Sequence, residues 1–529
     1  MAKPLTDAIE HVVVLMLENR SFDNVLGGLY PDLTKQGLYR GLLGNETNPR
    51  DPANPRAGSV KVFQGPATSS IWIMPYPDPG ELYADMVQQI FGSNASVLPS
   101  GVLPPMSGFA WNYTQQKAAP PGAGWPAVKP VAKDIMQYYS GASMPVTSCL
   151  AQGYAVCDYW FAAAPVQTLA NRVLAHCGTP SKMPGTNLSR IDNPDYAKDL
   201  DKHFPPRPPV TDKTIFELLD EANPDGVSPC SILPDGPAHL NWKVYYHDVP
   251  LSVLCQYVYQ HWCFSLDRPF GGNVFHFHDY DGLGRGTNFE NDIKAHQLPK
   301  YSFIEPRYSN FFFGTVNSNH PGGAGLDCDD PNGDSLPPPV NVMDGERLLW
   351  EVYSILRRHP ETFAKTLLIV TYDEHGGLFD HVPPPSAVSP FETPVDNFNY
   401  DRYGVRVPAI LINPSIKPRT VYPKRQGLAP VLAHPFDHTS ILSTLIAQFG
   451  LSDSLTPRVH SAPKLEDLIT ANTYPPPQCA APEPAPETSY DAPPARPPRV
   501  SSVPTGAHSL AGVLCWLYNL IHGEAAKKP

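Results

Sequence analysis

The stretch His11-Val-Val-Val-Leu-Met-Leu-Glu-Asn-Arg-Ser-Phe-Asp23 decides the architecture. Its apolar run is too short for a helix, and a run without polar alternation belongs to a strand covered on both faces, the habit of parallel sheets. Thr366-Leu-Leu-Ile-Val-Thr-Tyr372 repeats the pattern. Just before it, residues 344 to 360 read as a helix. Asp344 is the expected N-cap, Leu348, Leu349, Val352, Ile355 and Leu356 form one apolar face, and Arg357, Arg358 and Pro360 close it. A helix feeding a buried strand is half of a βαβ unit. A third strand is expected over residues 407 to 412 and another helix over 439 to 449, with Gly450 just past its end. The fold class that follows is α/β, with a mostly parallel central sheet flanked by helices.

The remainder is irregular. The chain carries 64 prolines in 529 residues, about 12% and more than twice the average usage, so long ordered loops must separate few regular elements. Residues 35 to 130 and 265 to 340, rich in Gly, Pro and Asn, read as loop-rich insertions that shape a pocket rim. The expected division is a catalytic domain over 1 to 474, a Pro-rich linker over 475 to 507 and a helical segment over 508 to 529. With 39 basic against 51 acidic residues, a net charge of -12 repels nucleic acids and anionic surfaces, so no nucleic-acid partner is expected. No apolar run reaches the length of a membrane span, so no transmembrane segment is expected. The opening Met-Ala-Lys-Pro-Leu-Thr lacks the marks of a secretory signal, which suits a cytoplasmic protein, or a secreted one without a recognisable N-terminal signal in this chain. Nine cysteines with no C-x-x-C pair point to buried thiols rather than a zinc framework or a dense disulfide scaffold.

Both buried strands run into polar clusters, Glu18-Asn-Arg-Ser-Phe-Asp23 and Asp373-Glu-His-Gly-Gly377. Ligands of parallel sheets bind beyond the carboxyl ends of the strands, so the clusters are expected to face one crevice. Glu18, Asn19, Asp373 and Glu374 would there offer oxygen ligands to one divalent metal ion, with Ca, Mg or Mn favoured. Taken singly, each cluster could equally solvate a turn. Thr168, in Pro165-Val-Gln-Thr-Leu-Ala-Asn-Arg172, opens a helical pattern, either as an ordinary N-cap or as a hydroxyl at an anion-favouring helix terminus. His320, a loop histidine before Pro321, could donate to a phosphoryl oxygen or protonate a leaving group, or be an ordinary exposed imidazole. His276-Phe-His278-Asp279 reads as a structural or rim feature, and Gly333-Asp-Ser-Leu336 follows no strand and is set aside as a hydrolase motif.

Taken together, Glu-Asn-Arg-Ser-Phe-Asp at 18 to 23, Thr-x-x-Asn-Arg at 168 to 172, Ile-Glu-Pro-Arg-Tyr at 304 to 308 and Tyr-Asp-Glu-His-Gly-Gly-Leu-Phe-Asp-His-Val-Pro-Pro-Pro at 372 to 385 resemble the bacterial and plant phosphoesterase family of non-specific phospholipase C and AcpA-type acid phosphatase. Gly404-Val-Arg-Val-Pro408 and Phe436-Asp-His-Thr-Ser-Ile-Leu442 extend the likeness over roughly residues 8 to 452. The resemblance implies an alkaline-phosphatase-like fold and hydrolysis of phosphate esters, on a phospholipid or another phosphate-ester substrate. It implies Glu18, Asn19, Asp373 and Glu374 as metal ligands, Thr168 as a nucleophile that is transiently phosphorylated, and His320 as a contact to the phosphate. Asn19 and His247 are further implied substrate contacts. Ala170 departs from the proline usual between that threonine and asparagine. A broad-specificity acid phosphatase acting on monoesters is the alternative, and a catalytically inactive phosphate-binding module the reading from another class. Aromatics such as Trp72, Tyr76, Phe109, Trp111, Trp242 and Tyr245 are core by default; lining an entrance, they would suit a choline-like cation or an acyl chain.

Overall fold

A computed structural model describes residues 4–66, 73–93, 101–118, 128–197, 208–226, 240–262, 273–278, 287–308, 316–322, 340–424, 432–452 and 455–482. Eight strands form the main sheet: β1 (His11–Leu17), β2 (Ala155–Cys157), β3 (Trp242–Tyr246), β4 (Val274–His276), β5 (Tyr301–Glu305), β6 (Thr366–Tyr372), β7 (Ala409–Ile412) and β8 (Thr420–Tyr422). They lie in the order β8-β2-β7-β6-β1-β5-β3-β4. β6, β1, β5, β3 and β4 run parallel throughout, as do β2 and β8, and β7 runs antiparallel to both β6 and β2. The strand expected over 407 to 412 is thus two residues shorter at its start and reversed, a direction that hydrophobic pattern does not encode. β1 and β6 sit at the centre, and every residue of β6 is buried, which is why both read as unbroken apolar runs.

Helices flank the sheet: α1 (Phe22–Leu26), α2 (Tyr83–Phe91), α3 (Pro145–Gly153), α4 (Thr168–Cys177), α5 (Val342–Arg358) and α6 (His438–Phe449). α5 starts earlier than expected. Its cap is Asn341, extended at φ −102° and ψ 118°, whose side chain accepts from the Met343 amide at 3.0 Å, while Asp344 lies within the first turn and pairs with Arg347. The earlier start buries Val342 as well. α6 is opened by an Asp437–Ser440 capping box and ends at Gly450, which adopts φ +65° as anticipated. α5 reaches across to α3, where the Glu346 carboxylate takes the Val146 amide at 2.6 Å, the Thr147 amide at 3.1 Å and the Thr147 hydroxyl. An acid thereby satisfies amides that a helix start leaves open.

One cysteine pair is oxidised, within the expectation of mostly buried thiols and no dense disulfide scaffold. Cys157, Cys177 and Cys255 are buried thiols, but Cys149 on α3 is disulfide-bonded to Cys479 across 330 residues. Residues 475 to 482 accordingly lie on the body, with the Pro477 carbonyl accepting from the Tyr353 hydroxyl of α5 at 2.8 Å. The rest of the Pro-rich segment and the helix expected near the end fall outside the described residues, as do Gly333 to Leu336. Among the described residues, no helix is long and apolar enough to cross a membrane.

Candidate active site

β1 and β6 are in register to their last residues, Leu17 beside Tyr372, so Glu18 and Asp373 leave the sheet at one level of its carboxyl edge. The chain turns at once at Asn19, which adopts φ +56° and donates its backbone N–H to Asp373 Oδ1 at 3.0 Å. Asparagine tolerates that left-handed backbone. Opposite it, Gly376 at φ +60° comes so near that a Cβ there would stand 2.2 Å from the Asn19 carbonyl oxygen. Asp373 Oδ1 also accepts the Glu374 amide at 2.7 Å, and its Oδ2 accepts Arg172 Nε at 3.0 Å. Arg172 extends the array, donating to the Tyr308 hydroxyl at 2.6 Å, which donates in turn to Glu305 Oε2 at 2.8 Å.

Thr168 is the first residue of α4 rather than its cap; the cap is Gln167, which makes no capping hydrogen bond of its own. Asn193 accepts the Leu169 amide instead, at 3.0 Å. The Thr168 hydroxyl donates to Asn19 Oδ1 at 3.2 Å, which joins the third motif to the first. Ala170 is buried inside the first turn of α4, and the segment before the helix is held by Asn171, bonded to both Ala164 and Val166. No proline is needed at 170 to fix that segment.

His320 Nε2 lies 3.0 Å from Asn19 Nδ2 and 3.4 Å from Glu81 Oε1, while its Nδ1 lies 2.6 Å from the Pro321 carbonyl. Burial pushes its pKa down, but Glu81 and Asp78 raise it well above the ordinary imidazole value. Burial lifts the Glu18 carboxyl to about 7 and the Glu374 carboxyl well above its usual range. Both Glu18 oxygens and Glu374 Oε1 are buried without a hydrogen-bond partner. Glu18, Asn19, Thr168, His320, Asp373 and Glu374, far apart in the chain, are thus brought together at one edge of the sheet.

His247 stands apart. It lies beyond β3, stacked on Phe277 at 4.5 Å, with Nδ1 2.9 Å from the Glu305 carbonyl and Nε2 without a partner. It makes no hydrogen bond to the other candidate residues. Burial and the Arg307 guanidinium hold its pKa well below the ordinary value. His276 is structural, its Nε2 lying 2.7 Å from the His247 carbonyl oxygen.

Of the six aromatics singled out, Tyr76, Phe109, Trp242 and Tyr245 are buried in the core, Trp111 is half-buried, and Trp72 lies outside the described residues. Sequence reasoning also passed over Glu81, Gln89 and His438. Gln89 Oε1 meets His375 Nε2 at 2.8 Å, and His438 Nε2 lies 2.6 Å from the Asp373 carbonyl. His438 was visible in the Phe-Asp-His-Thr-Ser run; Glu81 sits in a proline-rich insertion with no periodicity to single it out.

The model of the Phosphoesterase family matches residues 9–452, and the chain belongs to that family. It is a phosphoric ester hydrolase with a site whose carboxylate and histidine groups are compatible with a metal. Non-specific phospholipase C1 of Arabidopsis thaliana is 32% identical over 485 residues, covering 90% of this chain and 74% of the relative. Phospholipase C A of Mycobacterium tuberculosis is 27% identical, covering 84% of this chain and 74% of the relative. A solved alkaline phosphatase superfamily protein from Vibrio parahaemolyticus aligns with 60% of this chain and 64% of its own at 14% identity and a TM-score of 0.31, a likeness too slight to bear on function.

Proposed function

We propose that the chain cleaves the phosphodiester of phospholipid headgroups through a phosphothreonine at Thr168, with one divalent cation held by Glu18, Asn19, Asp373 and Glu374. The observation that carries this reading is the Thr168 hydroxyl resting on the Asn19 amide oxygen beside buried Glu18 and Glu374 oxygens that have no hydrogen-bond partner. Buried carboxylates left without a partner are costly, so this donor set fits a cation, and its all-oxygen chemistry fits Mg, Ca or Mn. When bound, the cation compensates phosphoryl charge and lowers the pKa of the attacking hydroxyl.

The chain's own groups do the rest. Thr168 Oγ1 stands at the N-terminus of a ten-residue helix, whose dipole favours the phosphoryl group. As the Oγ1–P bond forms, the P–O bond to the departing alcohol breaks, and the threonine proton ends on that alcohol. Water then cleaves the phosphothreonine, restoring the hydroxyl and releasing the headgroup phosphate. His320 is placed to donate to a phosphoryl oxygen. The relatives named phospholipase C support a lipid substrate, and the Cys149–Cys479 disulfide supports an oxidising compartment.

Thr168→Ala is expected to lower kcat on the order of a thousandfold or more while circular dichroism stays unchanged. The natural assay compares p-nitrophenyl phosphate with its phosphorylcholine ester, with and without a chelator that should abolish turnover. Near wild-type turnover by Thr168→Ala would remove the covalent route; activity confined to the monoester would replace the phospholipase reading with the acid phosphatase one.

A further inference from the structure

Glu81 lies outside the motifs that mark the site, just ahead of α2, yet its side chain is only 12% exposed and its Oε1 stands 2.6 Å from Asn19 Nδ2. A carboxylate only accepts, so the end of the Asn19 amide facing Glu81 must be the NH2 group, and the oxygen must face the other way, toward Thr168. Of the other partners, the Thr168 hydroxyl at 3.2 Å can donate or accept and sets no direction, and His320 Nε2 at 3.0 Å, its Nδ1–H being spent on the Pro321 carbonyl, accepts from the NH2 group only when the ring is neutral; Glu81 alone demands the NH2 group whichever form the imidazole takes. The Asn19 backbone has no such freedom, because its N–H is bound to Asp373 Oδ1 and its carbonyl abuts Gly376. Only the side-chain torsion is left to set.

We propose that Glu81 is a positioning residue that fixes the sense of the Asn19 amide, turning Oδ1 toward the cation site and the Thr168 hydroxyl. This rests on the reading of Asn19 as a cation ligand. The competing role for Glu81, as a ligand of a second cation with Asp78 and His320, which lie within 4.8 Å of one another, is weaker. Oε1 is already engaged by Asn19; Asp78 Oδ1 is buried without a hydrogen-bond partner, so the ion stoichiometry separates the two roles.

The test is calorimetric titration of the metal-stripped full chain with Mn2+. Glu81→Met is expected to weaken binding about 10- to 100-fold, the usual cost of losing an outer hydrogen-bond partner, and Glu81→Gln, whose amide oxygen still accepts, by less. The decisive background is Asn19→Asp. A carboxylate has two equivalent ends and no sense to fix, so Glu81→Met added to Asn19→Asp should cost nothing further. Affinity in Glu81→Met equal to wild type, an equal loss in both backgrounds, or a stoichiometry falling from two ions to one would each overturn the proposal. Should the wild-type chain bind no Mn2+, the cation reading falls and takes this inference with it; a wild type that binds normally beside an unaffected Glu81→Met sinks the inference alone.

Discussion

Asn171 shows how a buried side chain can hold the approach to Thr168, the proposed nucleophile. Its Oδ1 accepts the Ala164 amide at 3.1 Å, and its Nδ2 donates to the Ala164 and Val166 carbonyls at 3.2 and 2.7 Å, all in the buried segment that delivers Thr168 to the sheet edge. Asn171→Ala leaves the Ala164 amide unpaired away from water, and the expected cost is about 1–3 kcal/mol by urea unfolding, with a fall in kcat as the approach to α4 loosens. An unchanged unfolding midpoint would show that the segment holds itself. The spacing Thr-x-x-Asn-Arg made Asn171 and Arg172 visible in the sequence, but not their work: Asn171 ties down an irregular stretch with no period to read, and Arg172 donates to the Met16 and Leu17 carbonyls at the end of β1, 156 and 155 residues earlier. Glu81 itself was invisible. Its partner Asn19 is 62 residues earlier, and nothing local to Glu81 requires an acid.

Elements, too, are joined by parts of the motifs that do no chemistry. Arg406, fully buried and lying over the Phe22 ring at 4.4 Å, bonds Asp23 of α1 at 3.0 Å and Asp380, beyond β6, at 2.9 Å, while His381 Nδ1 closes on Asp23 Oδ2 at 2.6 Å. Asp23, Asp380 and His381 are grouped as a metal site would be, but the guanidinium already supplies the positive charge. Arg406→Met should destabilise the fold by about 3–5 kcal/mol, since it leaves the buried Asp380 without a cationic partner and Asp23 with His381 alone. Burial lowers the His381 pKa, but Asp23 raises it further, to a net value above 6.5. A histidine shifted upward contributes stability that is whole below its unfolded value and lost as pH rises through the folded one. The urea midpoint should therefore decline above about pH 6.5, and His381→Asn should flatten that decline; a decline of the same size in the variant would assign it elsewhere. At this scale the sequence spoke clearly where burial was two-sided, in β1 and β6. It was silent on β2, β4 and β8, three residues each and too short to carry a period, and it misplaced the start of α5 because Asn341 and Asp344 are both capping residues and only backbone conformation chooses between them.

Across the whole molecule, the far end of the described chain is fastened to its middle. Cys479 lies in a stretch whose proline content reads as free linker, yet its disulfide to Cys149 puts residues 475 to 482 against α3 and α5, with the Pro477 ring packed where a Cβ on Gly153 would stand 2.3 Å from it. α3 in turn leans on β7 and β2 and is capped from α5 by Glu346, so the bond closes a loop that encloses every strand from β2 onward. Cross-linking so long a loop restricts the unfolded chain far more than the folded one, and removing such a bond typically costs about 2–5 kcal/mol. Because the site lies at the carboxyl edge of β1 and β6, whereas the contacts of residues 475 to 482 described above fall on α3 and α5, the loss should fall on stability and leave the chemistry intact. Cys479→Ser is therefore expected to lower the melting temperature while kcat at 25 °C stays near wild type, and a reducing agent should lower the wild-type melting temperature to that of the variant without changing the variant's own. A wild type indifferent to reductant, with a free thiol at Cys149 by alkylation and mass measurement, would show that the bond does not form and that the segment is held by packing alone.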